Sequence, residues 1–490
     1  MFEALGSSVA VVGVAKNEYR PPVRATRRSR QAHHRNHARQ EQAAAVRHLC
    51  WHRGRGRRLA HATHARRAQI ADVTESGRRA RSRFTLIEEL SVPLDTEQLR
   101  MFYVQMRVLG VFIVAFLACS RSGLDAPPQG EREARAVQIA IGNLFSCALL
   151  DTGAVQCWGA NDHGELGDGQ QEPFRATPGV VTGLESGVVQ IAASEIGVCA
   201  VRAAGELLCW GDNDSGQTGT GRVGGFVSIP TRVVGISNAT RVSTSSWHSC
   251  ATLGDGRLVC WGLNASGQLG DGTTDIRSTP AAVKTASHAY DVSCGAEHTC
   301  ARFAGGTMQC WGDDLYGDLG GGNQTPQSTN TPHVVAGLAG SISAPHAGWN
   351  STCALLVGGS VQCWGDNSCG ELGNGSTVDW SVTPVSVSGL KARQMAMGYC
   401  GNVAVTLAGG VVRWGGFPTD DAGGFVTQST PVTMTGFSGP VAEVAVSVEH
   451  MCARMVSGGV QCIARNTKGE VGDGTTLPRF EPTRVSGFVP

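Results

Sequence analysis

The residues with the most chemical potential are the cysteines, 17 in a chain of 490. Twelve of them form six pairs: Cys147 with Cys157, Cys199 with Cys209, Cys250 with Cys260, Cys300 with Cys310, Cys353 with Cys363, and Cys452 with Cys462. Each pair brackets two short apolar stretches and a Gly-containing turn, as in Leu253-Gly254-Asp255-Gly256. Spacing that is symmetric about a turn sets the two residues opposite each other on antiparallel neighbours. The Cβ atoms are then roughly 4.5–5.5 Å apart, within closing distance of a disulfide in a non-hydrogen-bonded pair. The alternative is twelve buried thiols packing as small hydrophobes. The export signal described below favours disulfides, each worth roughly 2–3 kcal/mol. In one further unit both positions change together, to Val403 and Arg413, as bonded partners should.

Five cysteines stand outside this pattern: Cys50, Cys119, Cys294, Cys369 and Cys400. Cys369 and Cys400 fall on either side of a unit boundary, and a Cys369–Cys400 bridge is expected there. Cys294 has no evident partner. No two-plus-two ligand set suggests zinc, so no metal is expected. Catalytic constellations are also absent from the sequence. His248, His298 and His450 share one position just before the first Cys of their pairs, which marks them as structural hydrogen-bonding residues at the start of each unit. Asp212-Asn213-Asp214-Ser215-Gly216 lacks the downstream bidentate Glu of a calcium loop and reads as turn chemistry. Gly-Asp-Gly at 167–169, 270–272 and 472–474 reads the same way. There is no Gly-x-Ser-x-Gly elbow and no phosphate loop. No enzyme activity and no cofactor are expected.

The elements that position the cysteines are repeats. Trp158, Trp210, Trp261, Trp311, Trp364 and Trp414 each precede a Gly, and Ile463 stands at the seventh position of the series. A period near 50 suits four short strands per unit. One such unit cannot bury both faces of its sheet, whereas seven stacked in a ring can, and the ring leaves no long edge. The recurring Trp is expected as a wedge between units, with the following Gly permitting close backbone approach.

These units resemble the regulator of chromosome condensation repeat. Gly295, His298, Thr299, Cys300 and Ala301 match the first part of its pattern. Trp261, Gly262, Asn264, Gly267, Gln268, Leu269 and Gly270 match the second. The resemblance covers about 350 residues and implies an all-β, seven-bladed propeller over 137–490.

Charge divides the chain. Residues 1–100 carry 20 Lys/Arg against 9 Asp/Glu, while residues 101–490 carry 21 against 31. The first hundred residues are rich in Arg and His without hydrophobic periodicity, and read as disordered or as a mis-annotated leader. Residues 101–119 read as a signal peptide. Met106 and Arg107 precede an apolar run, Val108 to Ala118, too short to span a bilayer. The run ends in Ala118-Cys119, similar to a bacterial lipoprotein signal in which Cys119 takes the lipid. Residues 120–136 form a polar tether.

The expected protein is thus an exported, lipid-anchored monomer at the outer membrane or cell surface. It binds a protein or other surface ligand and touches the membrane only through the anchor. An acidic ring disfavours nucleic acid. Loop aromatics and acids off the repeat pattern are the candidate ligand-binding residues: Trp247, Trp349, Trp380, Asp420, Asp421 and Phe425. Two alternatives remain. The family's namesake activity, guanine-nucleotide exchange on a small GTPase, needs an intracellular protein. An extracellular enzyme would use the propeller mouth and show clustered rim carboxylates.

Overall fold

The computed structural model describes residues 133–490 apart from 171, 286, 323–326, 377 and 419–424. The leader with Cys50, the signal segment with Cys119 and most of the tether lie outside the described residues, as do Asp420, Asp421 and the side chain of Phe425.

The described residues fold as antiparallel four-stranded blades. Blade one consists of Ala136–Ile141, Phe145–Leu150, Val155–Ala160 and Phe174–Val180, hydrogen-bonded in that order. Each later repeat builds the same sheet. Blades five and six are joined by one strand, Trp380–Met397. Its first part pairs with Ser360–Asp366 of blade five and its last part with Gly401–Thr406 of blade six. First strands touch first strands around the whole ring, and the first strand of blade one closes against that of blade seven. Closure is reinforced by a parallel bridge between Ala134 and Phe488. The structure is therefore a seven-bladed propeller, as the repeats predict.

Strand direction assigns every connection to a face. The turns between first and second strands, and the loops between third and fourth strands, lie on one face. The remaining connections lie on the other. The second and third strands carry most of the core. Phe145–Leu150 and Leu207–Asp212 are buried throughout.

The disulfides lie inside these second and third strands, and their pairing is the one expected from the spacing. Cys147 is bonded to Cys157 in blade one, Cys199 to Cys209 in blade two and Cys250 to Cys260 in blade three. Cys300 is bonded to Cys310 in blade four, Cys353 to Cys363 in blade five and Cys452 to Cys462 in blade seven. In every case the two residues are direct cross-strand partners. Their Cα–Cα distances are 4.0–4.1 Å, the close approach of a non-hydrogen-bonded antiparallel pair. In blade six, Val403 and Arg413 are cross-strand partners in the same way, so their joint replacement of Cys removes one whole bridge.

Candidate functional site

The blades are held to one another by backbone carbonyls in the loops after their third strands. The indole of Trp261, in blade three, donates to Gln217 O of blade two at 2.8 Å. The hydroxyl of Ser249, also in blade three, donates to the same carbonyl at 2.9 Å. Gln268 O likewise accepts Trp311 and Thr299, Asp318 O accepts Trp364 and Thr352, and Glu470 O accepts Trp158 and Ser146. The six ring tryptophans are all fully buried. Gly219 lies against the Trp261 ring at φ +68°, and a Cβ there would sit 2.7 Å from Nε1. Gly262, after the Trp, has φ +111° and a Cβ would meet Trp247 O at 2.4 Å. Both positions therefore require glycine.

The histidines expected as structural do serve that role: His248 Nδ1 meets Ser245 Oγ at 2.9 Å and His450 Nδ1 meets Ser447 Oγ at 3.0 Å in their own blade entries, and the other ring nitrogens reach between blades. His248 Nε2 meets Thr299 Oγ1 of the next blade at 2.7 Å, and His298 Nε2 meets Thr352 Oγ1 at 2.9 Å. His450 of blade seven meets Ser146 of blade one at 2.9 Å, across the closure. Burial pushes the pKa of His248 down to about 3 and those of His298 and His450 to about 4. Neutral, enclosed imidazoles of this kind are unsuited to acid–base work at neutral pH. The Gly-Asp-Gly aspartates do more than turn the chain. Asp168, Asp271 and Asp473 pair with Arg175, Arg277 and Arg479 at the start of the following strand.

One junction breaks the rule. Blade seven has Ile463 where the indole should be. The other six blades carry Gly-x-x-Gly around the accepting carbonyl, as in Gly216-Gln217-Thr218-Gly219, and blade six has no such loop after its third strand. Its third and fourth strands instead run on, to Pro418 and from Phe425. Among the described residues, neither half of the latch is present at this junction. A groove of about 300 Å³ lies there, lined by Arg413, Phe417, Met434, Glu449, Ile463, Arg465 and Phe480 among others. The Arg413 guanidinium lies 5.1 Å from the centre of the Phe417 ring. Burial lowers its pKa, and no carboxylate pairs with it among the described residues. Arg465 pairs with Glu449 at 3.6 Å.

The groove shares Val446, Ser447 and Val448 with a second cavity, the mouth of the central channel. The ends of all seven first strands and the turns after them line that mouth. Trp349 and Tyr399 stand in it with ring centroids 5.0 Å apart.

The candidate ligand-binding tryptophans all fall on this mouth face, but they do not form one cluster. Only Trp349 lines the mouth. Trp380 stands at the outer rim, 48% exposed, against Tyr316. Trp247 is half-buried in the first turn of blade three. Phe425 begins a fourth strand and so shares the face by register. The expected Cys369–Cys400 bridge is not formed. Both residues remain thiols, although their sulfurs lie within 4.8 Å of each other. Cys294 is buried, its sulfur donating to Ser243 O at 3.4 Å, and burial pushes its thiol up to about 12.

Charge is unevenly placed as well. Residues 133–490 hold 29 Asp/Glu against 18 Lys/Arg. Most of the acids sit in the loops of the mouth face, including Asp162, Asp214, Glu195, Asp275, Asp313 and Asp379. The opposite face carries Arg202, Arg232, Arg257, Arg302 and Lys391.

Comparison with known proteins agrees with the architecture. A profile of the RCC1-like domain matches residues 120–393. The E3 ubiquitin-protein ligase HERC2 of Mus musculus is 29% identical over 364 residues, 72% of this chain but 6% of that protein. The ultraviolet-B receptor UVR8 of Arabidopsis thaliana is 27% identical over 57% of this chain and 64% of its own. Among solved structures, human WBSCR16 superimposes with a TM-score of 0.60 at 18% identity, covering 68% of this chain and 94% of that one. Yeast RCC1 (Prp20), solved bound to Kap60, gives 0.60 at 18% identity over 73% and 86%. Repeat pattern, blade topology and profile match together show that the chain belongs to the RCC1-like domain family.

Proposed function

We propose that this protein is an exported, non-catalytic propeller that docks a partner protein on its acidic mouth face. A bulky apolar side chain of the partner enters the groove between blades six and seven. The observation that carries this reading is the coincidence, on one face, of the acids, the channel mouth and the one junction without a Trp latch. A face of that charge steers a partner with a basic surface. The groove offers Ile463 and Phe417 as an apolar floor, and an anchored aromatic or aliphatic side chain is the usual centre of such an interface.

Six disulfides persist in an oxidising compartment, which favours export over the alternative of an intracellular exchange factor. Lipid attachment at Cys119 belongs to the same proposal and is supported by the Ala118-Cys119 ending of the apolar run. The buried, neutral histidines support a binding role over an enzymatic one.

The test places a photo-crosslinking residue at Trp380 on the mouth face or at Val357 on the opposite face, in the protein made in its own cells. A single partner captured from Trp380, but not from Val357, and lost on Asp162→Lys with Asp379→Lys, is expected. Capture of the same partner from Val357, or no capture from Trp380, contradicts the proposal.

A further inference from the structure

The junction between blades five and six brings together two thiols and a carboxylate that no other junction assembles among the described residues. Cys369 and Glu371 belong to the loop after the third strand of blade five. Cys400 belongs to the first turn of blade six. One ligand atom from each, Sγ, Sγ and a carboxylate oxygen, lies within 4.8 Å of the other two. Cys369 is 5% exposed and Glu371 is 3% exposed.

The repeats explain why these residues meet. Position 369 corresponds to Ser266 in blade three, and position 400 to Glu297 in blade four. That pair is joined, Ser266 Oγ donating to Glu297 Oε2 at 2.8 Å. The fold therefore directs these two positions at one another at a latched junction, and only here are both filled by Cys. Glu371 is fixed by the loop itself. Its Oε2 accepts the Cys369 N–H at 2.8 Å, while its backbone carbonyl accepts Trp414 and Asn402. Three acids are thus packed together in a site that would hold them poorly as anions. Burial and the neighbouring Cys369 and Asp366 push the Glu371 carboxyl well above its ordinary range. The Cys400 thiol donates to the Cys369 sulfur, and this bond, then burial, push the Cys400 thiol up. A cation in their midst would reverse that penalty.

We propose that Cys369, Glu371 and Cys400 form a binding site for a thiophilic divalent metal ion of the zinc type. Two thiolates and a carboxylate are a zinc donor set, with the fourth position left to water. Tetrahedral zinc at about 2.3 Å from each sulfur needs the sulfurs about 3.8 Å apart, so the side chains close in by no more than about 1 Å. Binding displaces the protons of both thiols and of any protonated Glu371. The ion would tie blade six to blade five. Blade six is the blade that has no disulfide of its own and has no Trp latch to blade seven. The site lies on the mouth face but does not rest on the partner reading, since metal content is read without any partner.

The test uses the full chain isolated from its own compartment, assayed for bound metal and then titrated with Zn²⁺ and Co²⁺. One Co²⁺ per chain with an intense near-ultraviolet thiolate charge-transfer band is expected, displaced by Zn²⁺, with proton release. Cys369→Ser and Cys400→Ser should each abolish the band and the stoichiometric binding. Serine already stands at the position of Cys369 in blades two and three, so the fold tolerates it, and an unchanged far-ultraviolet spectrum checks that. Metal uptake indifferent to both substitutions overturns the proposal, as does a Cys369–Cys400 disulfide in the isolated protein.

Discussion

The shared loop carbonyl makes a sharp energetic prediction at the junction of blades two and three. Gln217 O accepts both Trp261 Nε1 at 2.8 Å and Ser249 Oγ at 2.9 Å, and both side chains are fully buried. Ser249→Ala removes this bond and the one between Ser249 Oγ and Thr244 Oγ1 at 2.8 Å, and should cost about 1–2 kcal/mol. Trp261→Phe removes the other and part of a buried ring, for about 2 kcal/mol. Either single variant leaves the carbonyl with one donor. The double variant leaves it buried with neither, at an added desolvation cost of about 1–2 kcal/mol. The double loss should therefore exceed the sum of the singles by that amount. Urea unfolding of the oxidised protein, run as a double-mutant cycle, measures it. Additivity to within about 0.5 kcal/mol would refute the idea that these two donors alone satisfy the carbonyl.

Three further outcomes follow from the same geometry. Gly219→Ala places a Cβ 2.7 Å from the Trp261 ring at positive φ, and should destabilise by roughly 2 kcal/mol or more in the same assay. Val403→Cys with Arg413→Cys recreates the missing bridge of blade six at cross-strand partners. It should raise stability by roughly 2–3 kcal/mol in oxidising buffer only, and an unchanged midpoint would argue against the register. His298 titrates near 6.5 when unfolded and at about 4 when folded, so the unfolded state binds more protons between these values. Its contribution is present above pH 6.5 and is lost as pH falls. The stability gap between wild type and His298→Gln should shrink by about 1.4 kcal/mol per pH unit below 6.5. A constant gap from pH 7 to 5 would show that the imidazole is not enclosed.

The repeat period, the disulfide pairing and the burial of the ring tryptophans were legible in the sequence because each is local to one unit. The Cys250–Cys260 pair and its turn fit within a single hairpin, so symmetric spacing alone gives the partners, and the other five pairs repeat it. The latches were harder to read, because the acceptor of each indole lies in the neighbouring repeat and is a backbone carbonyl with no sequence signature. The loss of Trp at Ile463 and the altered blade-six loop were each visible, yet only the structure shows that they are two halves of one contact. The structural role of the histidines is legible from their shared position, and Ser245 and Ser447 beside His248 and His450 are local partners, but the Thr and Ser partners of Nε2 belong to the next blade. The neighbourhood of Cys369 and Cys400 followed from their boundary positions. Their bonding state did not, because spacing brings side chains together without fixing their chemistry.

The central claim is an exported propeller with disulfide-stapled blades. It is tested most directly by the intact mass of the protein from its own cells, alkylated before and after reduction. The account predicts that the twelve paired cysteines gain alkyl groups only after reduction. Twelve cysteines that react freely without reductant would contradict it and return an intracellular role to first place.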